Sequence, residues 1–155
     1  MSILKVDTIN EKTSGNGVHI AGHVVQVVHN KHGNVDSSAN GYVDVVSTTF
    51  TPKFSNSLII VRYNVQLFKW NNDDLPDSWA RIQQEQGGGS YVDVVVNPYI
   101  TYGPTSFKMN TLSMAGEFTV TNTNSHTVKL QVDPKTHRVY LYTGSNLFTI
   151  EEIAQ

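Results

Sequence analysis

Residues 57–69 read SLIIVRYNVQLFK, and this stretch decides the fold. One series of alternate positions is polar in its middle, at Arg62, Asn64 and Gln66. The other series is apolar throughout and consists of Ile59, Val61, Tyr63, Val65 and Leu67. Alternation with period two predicts a long β-strand whose second series faces a core, because successive side chains of a strand point to opposite sides.

Turn signals divide the rest of the chain into further short strands. No segment shows the three- and four-residue spacing of an amphipathic helix. Polar or Gly- and Pro-containing loops are predicted at 31–41, 70–77, 86–90 and 99–107. The predicted strands are His23–Asn30, Tyr42–Phe50, Ser78–Gln84, Tyr91–Asn97, Thr111–Ala115, Glu117–Thr121, Thr127–Asp133, Val139–Thr143 and Leu147–Ile153. About ten short strands separated by turns predict an all-β sandwich or barrel.

Composition excludes several classes of protein. The chain has 155 residues, which suits one domain, and it contains no cysteine, so disulfides and thiolate chemistry are absent. Its net charge of -2 gives no reason to expect a nucleic-acid partner. No apolar run approaches the ~20 residues that span a membrane, and residues 1–20 contain no export signal. We therefore expect a protein that is made in a cytoplasm and has no membrane partner.

The first 22 residues are predicted to form an extended arm, and residues 23–155 the sandwich domain. The arm contains the turn dipeptide Asn16-Gly17 and too few apolar residues to form a core alone. It can therefore add a strand to another sheet or knit chains together, and the alternative is an unattached terminus. Its predicted docking or oligomerisation residues are Ile3, Leu4, Val6, Ile9, Val18 and Ile20.

Histidines are the side chains most able to bind a metal in this cysteine-free chain. His19 and His23 lie four residues apart, roughly 13 Å in a strand, which is too far for one ion within one chain. Around a threefold axis, three copies of one histidine are an alternative way to bind a metal. His29 and His32 flank a predicted loop, and His126 and His137 fall at predicted turns, so all four are expected to be exposed. We expect no metal and no cofactor.

The sequence offers little for catalysis. No serine lies in a Gly-x-Ser-x-Gly elbow. Asp73, Asp74 and Asp77 form an acidic segment without the spacing of a calcium loop, and they are predicted to be solvated. The run 87–89 of three glycines is followed by neither a Lys-Ser/Thr pair nor a helix, so it does not predict a phosphate site. We therefore expect no enzymatic activity and no catalytic residue, with a small hydrolase as the least supported reading.

Aromatic side chains are the better candidates for binding. Trp70, Tyr99 and Tyr102 lie in or beside the longest predicted loops, where aromatic rings can stack on sugars or anchor proteins. Trp79 is predicted to cap the core instead, and the same alternative stays open for Tyr99 and Tyr102. Tyr140 and Tyr142 alternate with Val139 and Leu141, so the tyrosines are predicted to meet a neighbouring chain while the aliphatic residues face the core.

Both ends and the centre of the chain resemble one group of proteins. The segments LKVDTI at 4–9 and TSGNGVHIAGHVVQVV at 13–28 resemble the opening of small structural and tail-fibre proteins of tailed bacteriophages, cyanophages above all. TTFTPKFSNSLIIVRYNV at 48–65 resembles that group's Phe-Thr-Pro and Ser-x-hydrophobic strand pair. TGSNLFTIEEIAQ at 143–155 resembles its closing strand, which tends to read Ser-Leu-Thr-hydrophobic-x-Glu-Ile.

This resemblance implies a trimeric jelly roll of the tumour-necrosis-factor and complement type, attached to a virion. The expected function is that of a non-enzymatic virion structural protein, a capsid decoration or short fibre knob bound to capsid or tail proteins. The residues Asn146–Thr149 depart from the group's plain Ser-Leu-Thr, and no long shaft precedes the domain, which favours a compact attachment. The alternative function is a tail-fibre tip that recognises a glycan or protein on the host surface.

Overall fold

A computed structural model describes residues 8, 10, 20–38, 40–70, 78–100, 107–135, 138–142 and 146–155, with the backbone alone at 67–70, 97–100 and 107–110. These residues form antiparallel strands and contain no helix. The strands are β1 (Val24–Asn30), β2 (Val35–Ser37), β3 (Val43–Phe50), β4 (Leu58–Trp70), β5 (Ser78–Gln86), β6 (Val92–Ile100), β7 (Phe107–Thr119), β8 (His126–Asp133), β9 (Arg138–Leu141) and β10 (Leu147–Ile153).

The strands pair as one nested hairpin that is rolled up. From the centre outward, β5 pairs with β6, β4 with β7, β3 with β8, β2 with β9 and β1 with β10. Further pairings of β4 with β10 and β9, and of β5 with β8, join these ribbons side by side. The result is a jelly-roll β-sandwich, which confirms the predicted fold class.

The ribbons make two sheets, which we call sheet 1 and sheet 2. Sheet 1 contains six strands: β7 lies along one edge of β4, while β10 and then β9 lie along the other, with β1 and β2 outside them. Sheet 2 contains four strands in the order β3-β8-β5-β6. The core lies between the two sheets and is lined by aliphatic side chains from both.

The predicted core face of β4 is confirmed. Ile59, Val61, Tyr63 and Val65 are buried, and they pack with Leu112 and Met114 of β7 and with Phe148 and Ile150 of β10. The side chain of Leu67 lies outside the described part of the structure. In sheet 2 the facing layer is formed by Val46, Ile82, Leu130 and Val132.

Several predicted boundaries are wrong. Trp70 and Phe107, which are predicted to be loop residues, lie in β4 and β7. A three-residue strand, β2, lies inside the segment 31–41 that the sequence analysis treats as a loop. Strand β6 continues through Pro98 to Ile100, so Pro98 does not end it and residues 99–100 are not loop. The two strands predicted on either side of Gly116 are one thirteen-residue strand, β7.

Both sides of the sandwich are closed by local contacts. Gly116 lies where β7 approaches β6, and a Cβ atom at this position would sit 2.8 Å from a methyl group of Val94, so only glycine fits. On the other side, the Gln26 side-chain amide donates to the Thr51 carbonyl at 3.3 Å, and that of Asn30 donates to the Ser47 carbonyl. These amides satisfy carbonyls on the free edge of β3, which would otherwise be open to another strand.

A buried carboxylate holds the turn between β3 and β4. Glu152 of β10 accepts hydrogen bonds from the backbone N–H groups of Lys53 and Phe54 and from the Ser57 hydroxyl, at 2.9 to 3.0 Å. The side chain is 1% exposed, so these donors stand in for the water that the carboxylate has lost. The turn is thereby tied to the closing strand.

The prediction that His32 and His126 are exposed is wrong. His32 donates through Nδ1 to the Gly33 carbonyl, so its Nε2 accepts from the Tyr63 hydroxyl at 2.7 Å. Burial raises the pKa of Tyr63, which keeps the hydroxyl protonated and able to donate. His126 is buried at the start of β8 against Phe50, with ring centroids 5.8 Å apart.

The other predicted histidine positions divide into two groups. His23 and His29 are exposed, as predicted for His29. His19 and His137 lie outside the described residues. Within the described ranges, no three His, Asp or Glu side chains are close enough to hold a metal ion.

Candidate interaction surface

The outer face of sheet 1 is built from the side chains that alternate with the core residues. The register of β1, β10, β4 and β7 places these side chains in rows that cross the sheet. Three successive rows are Val24–Ile153–Leu58–Thr119, Val27–Glu151–Ile60–Glu117 and His29–Thr149–Arg62–Ala115. The face therefore changes from aliphatic to polar along the strands.

The first two rows contain five aliphatic side chains together with Thr119, Glu151 and Glu117, and we call them the apolar end of the face. Val24 and Val27 are 51% and 49% exposed, and both belong to the same strand, β1. Leu58, Ile60 and Ile153 are half-buried beside them. Exposed aliphatic side chains grouped on one face of a sheet make that face a candidate interaction surface.

The chain reaches this patch from the N-terminal side. Ile20 is exposed, and the backbone of Gly22 donates to the Ala154 carbonyl at 2.7 Å, while Ala154 donates to the His23 carbonyl at 3.0 Å. These bonds fix the start of the sandwich next to Ile153. The predicted arm therefore joins the sandwich at the apolar end of the face.

A groove of about 400 Å³ lies in the polar middle of the face. Short side chains at Ser113, Ala115 and Thr149 form part of its lining, whereas His29 and Arg62 rise beside them. The Arg62 guanidinium forms an ion pair with Glu151, and His29 Nδ1 lies 3.1 Å from the Thr149 hydroxyl. The groove therefore carries one basic and one acidic side chain that pair with each other.

Two tyrosines continue the same face beyond the groove. Tyr140 pairs in register with Asp36 of β2 and Phe68 of β4, and Tyr142 donates its backbone N–H to Gln66. Val139 and Leu141 are buried, so the predicted alternation of β9 is confirmed. The two tyrosine rings lie 6.5 Å apart, and Tyr142 is 46% exposed.

The outer face of sheet 2 has a different character. Its side chains form one chain of polar contacts across all four strands. Arg81 donates through Nε to Gln131 at 2.8 Å, and Gln131 donates to Asp44, which also pairs with Lys129. At the other end, Asp93 accepts from Gln83 at 2.8 Å and pairs with Arg81.

Aromatic rings complete this polar network. The Arg81 guanidinium lies 3.8 Å from the centroid of Tyr42, and the Lys129 ammonium lies 4.0 Å from that of Tyr91. Each cation thus contacts both a carboxylate or amide and the face of a ring, which stabilises charge at partly buried positions. These polar side chains of sheet 2 therefore contact one another, while Val92 and Val96 of β6 are exposed beside them.

Part of the predicted site lies outside the described residues. These positions are the arm residues Ile3, Leu4, Val6, Ile9 and Val18, the aromatic Tyr102 and the acidic Asp73, Asp74 and Asp77. Only the backbone is described at Trp70, which pairs with Arg138 and Phe107, and at Tyr99 within β6. Trp79 is half-buried with the Lys135 ammonium 4.6 Å from its ring centroid.

Sequence reasoning missed the aliphatic residues of sheet 1's outer face. Val24, Val27, Leu58, Ile60 and Ile153 were absent from the predicted contact residues. A signal for them exists, because 24–28 and 58–61 are aliphatic at both odd and even positions, except at Gln26. A strand that is apolar on both faces is covered on both faces.

The described residues include no helix that is long and apolar enough to cross a membrane. No protein-family model matches the chain. No curated protein matches it in sequence.

Among solved structures, the chain is similar to Eiger, a tumour necrosis factor from S. frugiperda, with 12% identity over 83% of this chain and 92% of that chain, and a TM-score of 0.49. It is also similar to the structure of infectious bursal disease virus, Gx strain, with 11% identity, 83% of this chain and 30% of that chain covered, and a TM-score of 0.32. The assignment of the jelly roll rests on the strand pairing described above.

Proposed function

We propose that this chain is a non-enzymatic structural protein of a bacteriophage virion that assembles as a homotrimer through the outer face of sheet 1. The observation that carries the proposal is the apolar end of that face, where Val24 and Val27 are half exposed in register with Ile60 and Ile153. The threefold symmetry and the virion come from the resemblance of the two chain ends and the 48–65 segment to phage proteins.

The face is large enough for stable association. β4 and β7 have thirteen residues each and β1 and β10 have seven each. At about 4.8 Å between strands and about 3.3 Å per residue they cover roughly 630 Å², which lies at the lower end of the range for a standard interface. A standard protein interface buries about 800 Å² on each partner. Sheet 2 presents a similar area, but its charged side chains are already paired with one another, and charged groups are depleted from interface cores.

Light scattering after size exclusion tests the assembly. The wild-type protein is expected to show three times the 17.2 kDa mass of one chain. Val27→Asp places a charge in the apolar end of the face and should give monomers, because an unpaired charge is strongly disfavoured in a buried interface. Val92→Asp is the matched control, since Val92 is 56% exposed but lies on β6 of sheet 2.

A monomeric wild-type protein at micromolar concentration would overturn the assembly proposal. Loss of the trimer in Val92→Asp as well as in Val27→Asp would show that the interface is not confined to the outer face of sheet 1, and would contradict the proposal. Circular dichroism of both variants checks that each keeps the all-β fold.

We further propose that residues 1–22 attach the trimer to a capsid or tail protein. Support comes from the place where Ile20 and Gly22 meet the sandwich, beside the apolar end of sheet 1's outer face. Deletion of residues 2–20 should leave the sandwich folded, because the ladder of β1 and β10 begins at Val24. The truncated protein should fail to join particles, whereas normal occupancy on virions would exclude a docking role for the arm.

The second candidate function is recognition of a host surface glycan or protein. The neighbouring rings of Tyr142, which is exposed, and Tyr140, which is half-buried, favour it, because adjacent aromatic rings can stack on a sugar or anchor a partner. A glycan array and binding to host cells test this function. Tyr142→Ala should abolish any binding observed, with Tyr91→Ala of sheet 2 as the control, and equal loss in both variants would reject the tyrosine pair.

A further inference from the structure

The segment that precedes β3 contains an Asn-Gly pair with an unusual environment. Asn40 is exposed, and Gly41 has a φ of +127°, a conformation that favours glycine. The backbone N–H of Gly41 donates to Asp133 Oδ1 at 3.1 Å. The same oxygen accepts the backbone N–H of Lys135 at 2.9 Å, and the Lys135 ammonium pairs with Asp133 Oδ2.

Asparagine before glycine is chemically labile in an open chain. The glycine nitrogen, once it has lost its proton, attacks Cγ of the asparagine side chain, since glycine has no Cβ to shield it. A bond forms between that nitrogen and Cγ, the bond from Cγ to Nδ2 breaks, and ammonia leaves with the proton. One water then opens the cyclic imide at either carbonyl, which leaves aspartate or isoaspartate.

We propose that Asn40 is a self-modification site of this kind and that Asp133 suppresses the reaction in the folded protein. The reactive species is the Gly41 nitrogen without its proton, which carries a negative charge. A carboxylate at 3.1 Å opposes that charge and at the same time holds the N–H as a donor. The folded chain therefore protects a bond that its own sequence makes reactive.

The state of Asp133 agrees with this role. Its side chain is only 4% exposed, and burial acts to raise its pKa. Hydrogen bonds from Lys135 and Gly41 act in the opposite direction and hold the pKa below its ordinary value. Asp133 is therefore ionised at neutral pH, where the reaction of Asn40 takes place.

Peptide mapping by mass spectrometry after incubation at mildly alkaline pH tests the proposal. The readout is the fraction of aspartate plus isoaspartate at position 40. Unfolded wild-type protein in denaturant gives the intrinsic rate, with the second Asn-Gly pair, Asn16-Gly17, in the same digest. The folded protein should react at position 40 at least about tenfold more slowly, the effect expected of one like charge at contact distance.

Two variants separate the charge of Asp133 from its anchoring of the turn. Asp133→Asn keeps an oxygen acceptor but removes the charge, so the reaction should accelerate about tenfold or more. Lys135→Ala keeps the carboxylate and removes its countercharge, so the reaction should stay as slow as in the wild type. Asn40→Gln is the control without reaction at this position.

Equal rates in the folded wild type and in Asp133→Asn would overturn the proposal. Acceleration in Lys135→Ala as large as in Asp133→Asn would also overturn it, since a looser turn and not a lost charge would then be the cause. If Asp133→Asn does not fold cooperatively, the comparison of folded with denatured wild type decides, and equal rates there reject the protection.

Discussion

The outer faces of the two sheets differ although their inner faces are alike. Inner positions of both sheets are filled by buried aliphatic side chains. On the outside, sheet 2 joins Asp44, Gln131 and Arg81 into a chain of polar contacts, whereas sheet 1 leaves Val24 and Val27 exposed. Sheet 2 also exposes Val92 and Val96, so the two faces differ mainly in how their polar side chains are paired. Under the proposed function, a second copy of the chain covers the face of sheet 1.

The largest effect of a substitution on the free energy of unfolding is expected in the core, where the two sheets are alike. Val61→Asp puts an unpaired charge between the sheets and should destabilise the fold by more than about 4 kcal/mol. Arg62→Asp changes the next residue, which faces outward, and should leave the fold intact. Urea unfolding monitored by circular dichroism compares the two, and a soluble, cooperatively folded Val61→Asp protein would contradict the assigned strand faces.

A smaller effect is expected from the polar contacts of sheet 2. Gln131→Ala removes the amide that joins Arg81 to Asp44 and leaves both partners without this contact, a loss of about 1–3 kcal/mol in the free energy of unfolding. Asn64→Ala, at an exposed position on sheet 1, should cost less than about 0.5 kcal/mol. Equal losses would mean that the polar network does not stabilise sheet 2, and Gln131→Ala should leave the oligomeric state unchanged.

Lowering the pH should reduce the stability of the fold through the buried carboxylate of Asp133 more than through the exposed carboxylate of Asp36. Hydrogen bonds hold the pKa of Asp133 below the ordinary value of 3.8 despite its burial. The contribution of Asp133 to the free energy of unfolding is therefore complete above pH 3.8. It is lost as the pH falls through the lower pKa that Asp133 has in the folded state. Urea midpoints measured from pH 6 to about pH 2 should fall more steeply in the wild type than in Asp133→Asn.

The matched control for the acid experiment is Asp36, whose pKa is lowered mainly by its hydrogen bond to Arg138. Asp36 is exposed, so solvent screens the pair. Asp36→Asn should leave the acid dependence close to that of the wild type. An equal change in the acid dependence of Asp133→Asn and Asp36→Asn would contradict the assignment of the larger effect to the buried carboxylate.

The smallest effect is expected at the ion pair on the outer face of sheet 1. Arg62 and Glu151 are both partly exposed, and such pairs contribute less than about 1 kcal/mol. Arg62→Gln should therefore lower the urea midpoint only slightly, and salt should have little effect on either protein. A large loss would show that this pair is desolvated, as in an assembled interface.

Local sequence patterns predicted most of the strands because each pattern reflects a local cause. The alternation in 57–69 indicates which face of β4 is exposed to solvent. The residues of the other face, Ile59, Val61, Tyr63 and Val65, are buried. β9 is a second case, with Val139 and Leu141 inside. Neither inference needs knowledge of which strands are neighbours.

The wrong predictions depend on neighbours that the sequence does not reveal. Gly116 looks like a break in a strand, yet it is where β6 passes closely over β7. Pro98 is accepted within β6 because this strand pairs with β5 alone, so a missing N–H can point to the unpaired edge. His32 is buried because Tyr63, thirty-one residues away, supplies a hydrogen-bond partner.

The candidate surface was harder to predict than the fold. The sequence shows apolar residues at both odd and even positions near Val27 and Ile60. It does not show that the two strands flank β10, which brings Val27 and Ile60 into one row. The exposed patch exists only after the register is known. The outward positions of Tyr140 and Tyr142 could be predicted, because the alternation with Val139 and Leu141 is visible in a single segment of sequence.

The nested pairing sets an order for folding. Strands β5 and β6 are joined by a short turn at 87–91, so their loop closes at the lowest entropic cost, whereas β1 and β10 lie more than a hundred residues apart. We expect pairing to spread outward from the 87–91 turn and to end when β10 enters between β1 and β4. On a ribosome, the strand that carries Glu152 emerges last of the ten, so the turn after β3 stays unanchored until then. A nascent chain therefore exposes the edge of β4 that pairs with β10 while the residues between 70 and 147 are being made.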